Sequence, residues 1–256
     1  MMLKTDIPGV LLTLQAIVAL MAAVLPQRFA VVSRHLWRSV ILLSAAVIAM
    51  RWLTVMHPPM RNLYEAFLWI PPLLALTTEV SRRHGVGTVR LDATLGFIVA
   101  FPLAFVFSDA VSPLPAALQS GYFVPHVLGY MLAYALLARA FVLECLAAVQ
   151  CRNGGEASVY VKDSRINAAF GFLLLTTSLA LGSLWGNTAW GAYWQWDPKE
   201  QWSLATWLVY AAYFHTCGRP RWRLTLLGVG LAAIVLTVTW INLSKLFPGM
   251  HTYAGF

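Results

Sequence analysis

A tryptophan-rich segment is the most unusual feature of this sequence. From position 185 to 202 it reads WGNTAWGAYWQWDPKEQW, with five tryptophans in eighteen residues. Indole rings offer broad apolar faces with an N–H donor at one edge, and Gly191 lets a ligand approach the backbone closely. These properties suit a large, flat, partly polar ligand such as a porphyrin. The five tryptophans are Trp185, Trp190, Trp194, Trp196 and Trp202.

An interfacial aromatic belt is the alternative explanation, because tryptophan also concentrates at membrane boundaries. A belt does not require glycines, a WxWD core and paired charges within one short segment, so we favour a ligand site. Asp197, Pro198 and Glu200 form a helix-start signal, with the carboxylate as N-cap and proline at the first helical position. We therefore expect a helix to begin at Pro198.

Two histidines flank the tryptophan segment in the sequence. His126 opens an apolar run, and His251 lies near the C-terminal end within PGMHTY. Neutral imidazole is a common axial ligand of haem iron, and two imidazoles hold the metal from opposite faces. Either histidine alone is better explained as an interfacial residue without a ligand. Taken together with the tryptophans, the pair predicts a bis-histidine haem site.

The composition predicts an all-α, polytopic membrane helix bundle. Hydrophobic residues make up 59% of the 256 positions and charged residues 11%, far from the averages of soluble domains. The apolar residues form continuous runs, which favours helices over a barrel. Eight spans are expected: Pro8–Leu25, Ser39–Met56, Ala66–Val80, Leu91–Phe107, His126–Val149, Ala168–Leu184, Ser203–Cys217 and Leu224–Leu243. We expect one domain over residues 1–256, without an internal repeat.

The basic residues predict the orientation of the bundle. The net charge is +8, but the lysines and arginines lie between apolar runs, so nucleic acid is not an expected partner. Twelve basic residues fall in loops on one face and four on the other. By the positive-inside rule the first face is cytoplasmic and both termini are extracytoplasmic. The protein is then a multi-pass protein of the plasma (inner) membrane, with the tryptophan segment, His126 and His251 on the outer, periplasmic face.

Four further ionisable residues fall in or near apolar runs, where an unpartnered charge is costly. His215, near the inner end of the seventh span, is either an intramembrane ligand or an interfacial histidine. Arg51 is either structural or a partner for a haem propionate. Arg139 is expected to pair with Glu144. His57, beside two prolines, ranks below the other histidines as a ligand.

Several of these segments together resemble a known family. WGAYWQWDPKE, with HVLGYMLAYALL before it and PGMHTYAGF after the last span, is similar to the haem-handling superfamily of cytochrome c assembly proteins with a WWD domain. The pattern resembles the CcsA (ResC) type of the system II pathway, whose early outer loop carries an NLYE element, found here at Asn62–Glu65. The resemblance covers almost the whole chain.

The resemblance implies a role for individual residues. His126 and His251 match the outer histidines that ligate haem b axially, and His215 matches an intramembrane histidine that pairs with one from a CcsB (ResB) subunit. The WWD core corresponds to Trp190, Trp194, Trp196 and Asp197, with Trp185 and Gly191 beside it.

The same resemblance implies a function in cytochrome c assembly. Haem is expected to arrive from the cytoplasmic side, to be held at the outer site, and to be presented for thioether attachment to the CxxCH segment of apocytochrome c. The chain is then part of a cytochrome c synthase (haem lyase) with a separate CcsB-like subunit. Two alternatives are a CcmC-like protein that loads a separate haem chaperone, and a membrane transporter or structural subunit without haem.

Overall fold

The computed structural model describes residues 6–83, 88–111, 113–216, 219–240 and 249–251. Within these ranges the regular structure is helical and contains no strand, which confirms the all-α prediction. The nine α-helices of the described chain are α1 Ile7–Val24, α2 Ala30–Val55, α3 Leu63–Phe67, α4 Ile70–Arg83, α5 Val89–Phe105, α6 Phe123–Arg152, α7 Ser158–Trp190, α8 Pro198–Phe214 and α9 Pro220–Val235. Short 3₁₀ segments lie at Gln27–Phe29 and Ala116–Leu118, and a π-helical turn follows α9 at Leu236–Trp240.

The long helices coincide with the predicted membrane spans. In the described residues, five helical stretches are long and apolar enough to cross a bilayer: Ile7–Val24, Gln27–Val55, Phe123–Arg152, Ser158–Trp190 and Pro220–Thr239. The shorter α4, α5 and α8, with 14, 17 and 17 residues, occupy the other three predicted spans. A helix satisfies its own backbone groups, as hydrocarbon requires. The chain is therefore a multi-pass membrane protein, whereas its orientation stays a prediction.

The described helices belong to two compact units, Met1–Leu114 with α1 to α5 and Pro115–Phe256 with α6 to α9. The expectation of a single domain over the whole chain stays a prediction. The first unit has an apolar core drawn from its helices: Leu12, Val47, Ile48, Tyr64, Leu68, Leu103 and Ala104.

Arg51 is buried inside the first unit, where 7% of its surface is exposed. Its Nε and Nη2 donate to Glu65 Oε1 at 3.0 and 2.8 Å, and its Nη1 donates to the carbonyl oxygen of Asp109 at 2.7 Å. The NLYE element thus supplies the carboxylate that compensates the buried guanidinium. Of the two roles open to Arg51, these contacts support the structural one.

The second unit is built on the antiparallel hairpin of α6 and α7. Glycines let the two helices approach closely, as is common in membrane bundles. A Cβ on Gly171 would lie 2.8 Å from Leu137 Cγ, and a Cβ on Gly129 would overlap the hydroxyl of Ser178. This packing sets the register of the hairpin, and the register decides which side chains of the two helices face each other.

The expected pairing of Arg139 with Glu144 is wrong. Arg139, fully buried on α6, donates from Nη1 to Asp163 Oδ2 on α7 at 2.9 Å. Glu144 instead accepts from Nη2 and Nε of Arg223 on α9, at 2.7 and 3.0 Å. Residues five apart on a helix point in different directions, so the charges find partners on neighbouring helices.

Candidate functional site

His126 lies in the first turn of α6 with its ring against α7. Its Nδ1 is 2.8 Å from the carbonyl oxygen of Ser178. A carbonyl oxygen only accepts, so Nδ1 carries the proton and the lone pair of the neutral ring is on Nε2. Gly182, one turn after Ser178, makes room for the ring, because a Cβ there would overlap His126 Cε1 and lie 2.7 Å from Nδ1.

His251 is oriented by Asp197, the last residue of the WxWD core. Its Nδ1 is 3.0 Å from Asp197 Oδ1, and the N–H of Met250 donates to Asp197 Oδ2 at 2.6 Å. The same carboxylate begins α8, since it accepts from the N–H of Lys199 at 2.9 Å and belongs to a capping box with Glu200. The predicted helix start at Pro198 is confirmed, and the cap also holds the C-terminal segment.

The electrostatics of this pair favour an ionised Asp197 beside a neutral His251. Burial alone would raise the pKa of Asp197, but the hydrogen bond from His251 and the N–H groups of Lys199 and Met250 outweigh it and bring the pKa to about 2. Burial lowers the pKa of His251 below its ordinary value, although the bond to Asp197 acts in the opposite direction. A neutral His251 that donates Nδ1–H to a carboxylate has its lone pair on Nε2, as His126 does.

Trp185 brings the two histidines to one place. Its ring centroid is 5.7 Å from that of His126, with the planes 23° apart, and 5.5 Å from that of His251. Only 2% of Trp185 is exposed, and its Nε1 donates to the carbonyl oxygen of Ala117 at 2.7 Å. Trp190 packs against both Trp185 and His251, with centroids 4.7 and 4.8 Å away. We call His126, Trp185, Trp190, Asp197 and His251 the histidine–tryptophan cluster.

The first part of the tryptophan segment is helical, although its composition indicates a loop. Helix α7 continues to Trp190 and ends where Gly191 adopts a φ of 77°, a left-handed conformation that favours glycine. Trp194 and Trp196 follow outside the helix with ring centroids 5.9 Å apart, and Trp196 is 64% exposed. Of the predicted aromatic residues, Trp185 is therefore buried, Trp190 and Trp194 are half-buried, and Trp196 is exposed.

His215 and His57 do not belong to the cluster. His215 is the C-cap residue directly after the last residue of α8 and is exposed. Its role as an intramembrane ligand or an interfacial histidine stays a prediction. The 17 residues of α8 separate His215 from Asp197 by about 25 Å at 1.5 Å per residue. Cys217, the expected end of that span, lies outside the described residues. His57 is in the first unit, with Nδ1 3.0 Å from the carbonyl oxygen of Pro58.

The donor set of the cluster fits haem iron. Two neutral imidazoles with protonated Nδ1 atoms carry their lone pairs on Nε2, and an oxygen acceptor on the other ring nitrogen is the usual support of a ligating histidine. Stacking on Trp185 covers a face of His126, whereas a metal bonds in the plane of the ring. Among the described residues no group of three or more His, Cys, Asp or Glu could hold a metal ion.

Sequence reasoning missed the residues that orient the histidines, namely Ser178, Gly182, Ala117 and Gly249. Gly249 allows close contact with Asp197, because a Cβ there would overlap Oδ2 and lie 3.0 Å from Cγ. Ser178 and Gly182 are four residues apart and so share a face of α7, a small-residue pattern that signals close helix contact. Ala117 acts through its carbonyl oxygen, and side-chain type carries no signal for it.

Comparison with known proteins identifies the class. The sequence model of the family described as Cytochrome C assembly protein matches residues 6–247. The chain therefore belongs to that family of multi-pass membrane proteins.

Relatives named cytochrome c biogenesis protein CcsA are similar over most of the chain. The one from Synechococcus sp. (strain CC9902) is 32% identical over 257 residues, which cover 84% of each protein. The one from Prochlorococcus marinus (strain MIT 9303) is 32% identical over 262 residues, 84% of this chain and 81% of the relative. The one from Chlamydomonas reinhardtii is 31% identical, over 84% of this chain and 66% of the relative. The chain is a CcsA-type cytochrome c biogenesis protein, which confirms the resemblance.

Proposed function

We propose that this chain binds haem b between His126 and His251 on the extracytoplasmic side of the membrane and presents it to the CxxCH segment of apocytochrome c. In this proposal it is the membrane half of a cytochrome c synthase. A separate CcsB-like subunit supplies the other part of the synthase. It also supplies a partner for His215 at the inner end of the haem path.

One observation carries the proposal. His126 and His251, 125 positions apart in the sequence, both contact Trp185, and each donates Nδ1–H to an oxygen. Two interfacial histidines without a common role have no reason to share one indole and one tautomer. Two histidines that would hold one haem iron need to lie close together and to carry the lone pair on Nε2, and the shared contact with Trp185 and the common tautomer support both conditions.

The burial of Trp185 weighs against an aromatic belt. Belt tryptophans lie at the lipid interface with their rings exposed to headgroups, whereas Trp185 is 2% exposed and hydrogen-bonded to the backbone. Trp194 and Trp196 are more exposed than Trp185 and would lie at the edge of a macrocycle held by the histidines. Their rings supply apolar contact for its edge.

The residues of this chain position and ligate, and the bond-making groups belong to haem and to the apocytochrome. Bound haem supplies two vinyl groups, across which the cysteine thiols add: each S–H bond breaks, an S–C bond forms, and the hydrogen goes to the neighbouring carbon. The step needs no net oxidant. His126 and His251 fix the plane of the macrocycle, and Trp185 fixes the histidines.

Haem attachment in cells tests this function. The chain is co-expressed with a CcsB-like subunit and an apocytochrome c, and covalent haem is measured on denaturing gels. We expect His126→Ala and His251→Ala to abolish attachment, and His57→Ala, a histidine outside the cluster, to leave it unchanged. Attachment at the wild-type level in both cluster variants would refute the proposal.

A further inference from the structure

The two histidines of the cluster are held in different ways. His126 is on a 30-residue helix, and its ring is enclosed by α7 at Gly182 and Ser178 and by Tyr130, whose ring centroid is 5.0 Å away. The ring has little free space on the α7 side, because even one added methyl carbon at Gly182 would overlap it. For His126 to move away from a bound haem iron, packed helices would have to separate.

His251 is held by polar contacts at the end of a helix. The described segment 249–251 lies outside any helix, and Asp197 binds it twice, through the Met250 N–H and through the imidazole of His251. The side chain of His251 is 18% exposed. The ring of His251 also packs against Trp185 and Trp190. Movement of His251 therefore breaks side-chain contacts and hydrogen bonds that water can replace, whereas movement of His126 requires packed helices to separate.

Asp197 acts on both the position and the donor strength of His251. A carboxylate that accepts the Nδ1–H of a ligating histidine fixes the ring orientation and makes Nε2 a stronger donor than a neutral carbonyl does. Ser178 offers His126 such a carbonyl, and Asp197 offers His251 the carboxylate. The histidine on the non-helical segment therefore has the stronger support.

We propose that Asp197 is a positioning residue that holds His251 as the exchangeable ligand, while His126 is the permanent one. This inference rests on the proposed function. The histidine of an incoming CxxCH segment takes the place of His251, and the contact between Asp197 and residues 250 and 251 controls how readily it does so. Asp197, the aspartate of the WWD core, then acts on the histidine and not directly on the macrocycle.

Asp197→Asn and Glu200→Gln form a matched pair of test variants. Asparagine caps helices about as well as aspartate, so α8 keeps its start, but the carboxylate is lost. Glu200 accepts from the N–H groups of Asp197 and Gln195 at 3.1 and 2.8 Å and belongs to the same capping box. Its substitution perturbs the cap and leaves the carboxylate that binds His251.

The first measurement is amide hydrogen exchange of haem-free protein, in peptides that include Met250. Loss of hydrogen bonds to a charged group predicts exchange about tenfold faster in Asp197→Asn. Glu200→Gln should exchange as the wild type does. Equal exchange in wild type and Asp197→Asn would overturn the holding role, whether or not haem binds.

The second measurement is the rate at which carbon monoxide enters the reduced, haem-loaded complex, since its entry requires one histidine to leave. We expect about a tenfold faster rate in Asp197→Asn and the wild-type rate in Glu200→Gln. An unchanged rate in Asp197→Asn would overturn the assignment of His251 as the exchangeable ligand. Wild-type complex without haem would instead refute the proposed function, and the exchange measurement would still decide the role of Asp197.

Discussion

A single methyl group at Gly182 should displace the ring of His126. In Gly182→Ala the new Cβ would lie 2.7 Å from His126 Nδ1, and ordinary van der Waals contact begins near 3.4 Å. The imidazole has to move, and with it the hydrogen bond of 2.8 Å from Nδ1 to the carbonyl oxygen of Ser178. We therefore expect His126 to lose both the tautomer protonated on Nδ1 and the present direction of its Nε2.

The magnitude depends on two opposing effects. Alanine is a better helix former than glycine by about 1 kcal/mol, which favours the variant. Overpacking costs about 1–3 kcal/mol, and the broken hydrogen bond removes about 1 kcal/mol more. The cost exceeds the gain, so the free energy of unfolding should fall by about 1–3 kcal/mol.

Thermal unfolding in detergent and the haem content of the purified complex measure these effects. Gly121→Ala is the matched control, because a Cβ at Gly121 has no atom within 4 Å. We expect Gly182→Ala to lose both stability and haem, and Gly121→Ala to lose neither. Wild-type haem content in Gly182→Ala would show that the ring of His126 does not need the space that this glycine provides.

Three further substitutions test the buried polar contacts. Arg139→Leu should destabilise the protein by about 3–5 kcal/mol in thermal unfolding, because Asp163 loses the guanidinium that compensates its buried charge, and adding Asp163→Leu should restore most of the loss. Arg51→Met should cost a similar amount, because Glu65 loses the guanidinium that compensates its buried carboxylate. Trp185→Phe keeps an aromatic ring but leaves a buried carbonyl unpaired, at about 1–3 kcal/mol, and should speed haem loss in competition with apomyoglobin. Unchanged stability in any of the three would contradict the corresponding contact.

The sequence was sufficient to predict the helices. Helices satisfy the backbone groups of continuous apolar runs in hydrocarbon, and each of the eight expected spans coincides with a helix. Asp197, Pro198 and Glu200 predicted a helix start because capping depends on local backbone geometry alone. His126 and His251 are candidate ligands from the sequence because both flank the tryptophan segment and are expected on its side of the membrane.

What the sequence did not predict depends on contacts between helices. Arg139 forms an ion pair with Asp163, 24 positions later, because the register of the α6–α7 hairpin places the two side chains face to face. The support of His126 by Ser178 follows from the same register. Trp185 and Trp190 belong to α7 since its backbone hydrogen bonds continue to Gly191, although the hydropathy of the sequence falls earlier.

Electron paramagnetic resonance of the oxidised complex, purified with its CcsB-like partner, tests the central claim most directly. Two imidazoles on one iron give a low-spin ferric signal. We predict that signal at the outer site of the wild type and of His57→Ala, and its loss in His126→Ala and in His251→Ala. A low-spin signal that persists unchanged in both cluster variants would contradict ligation by this pair.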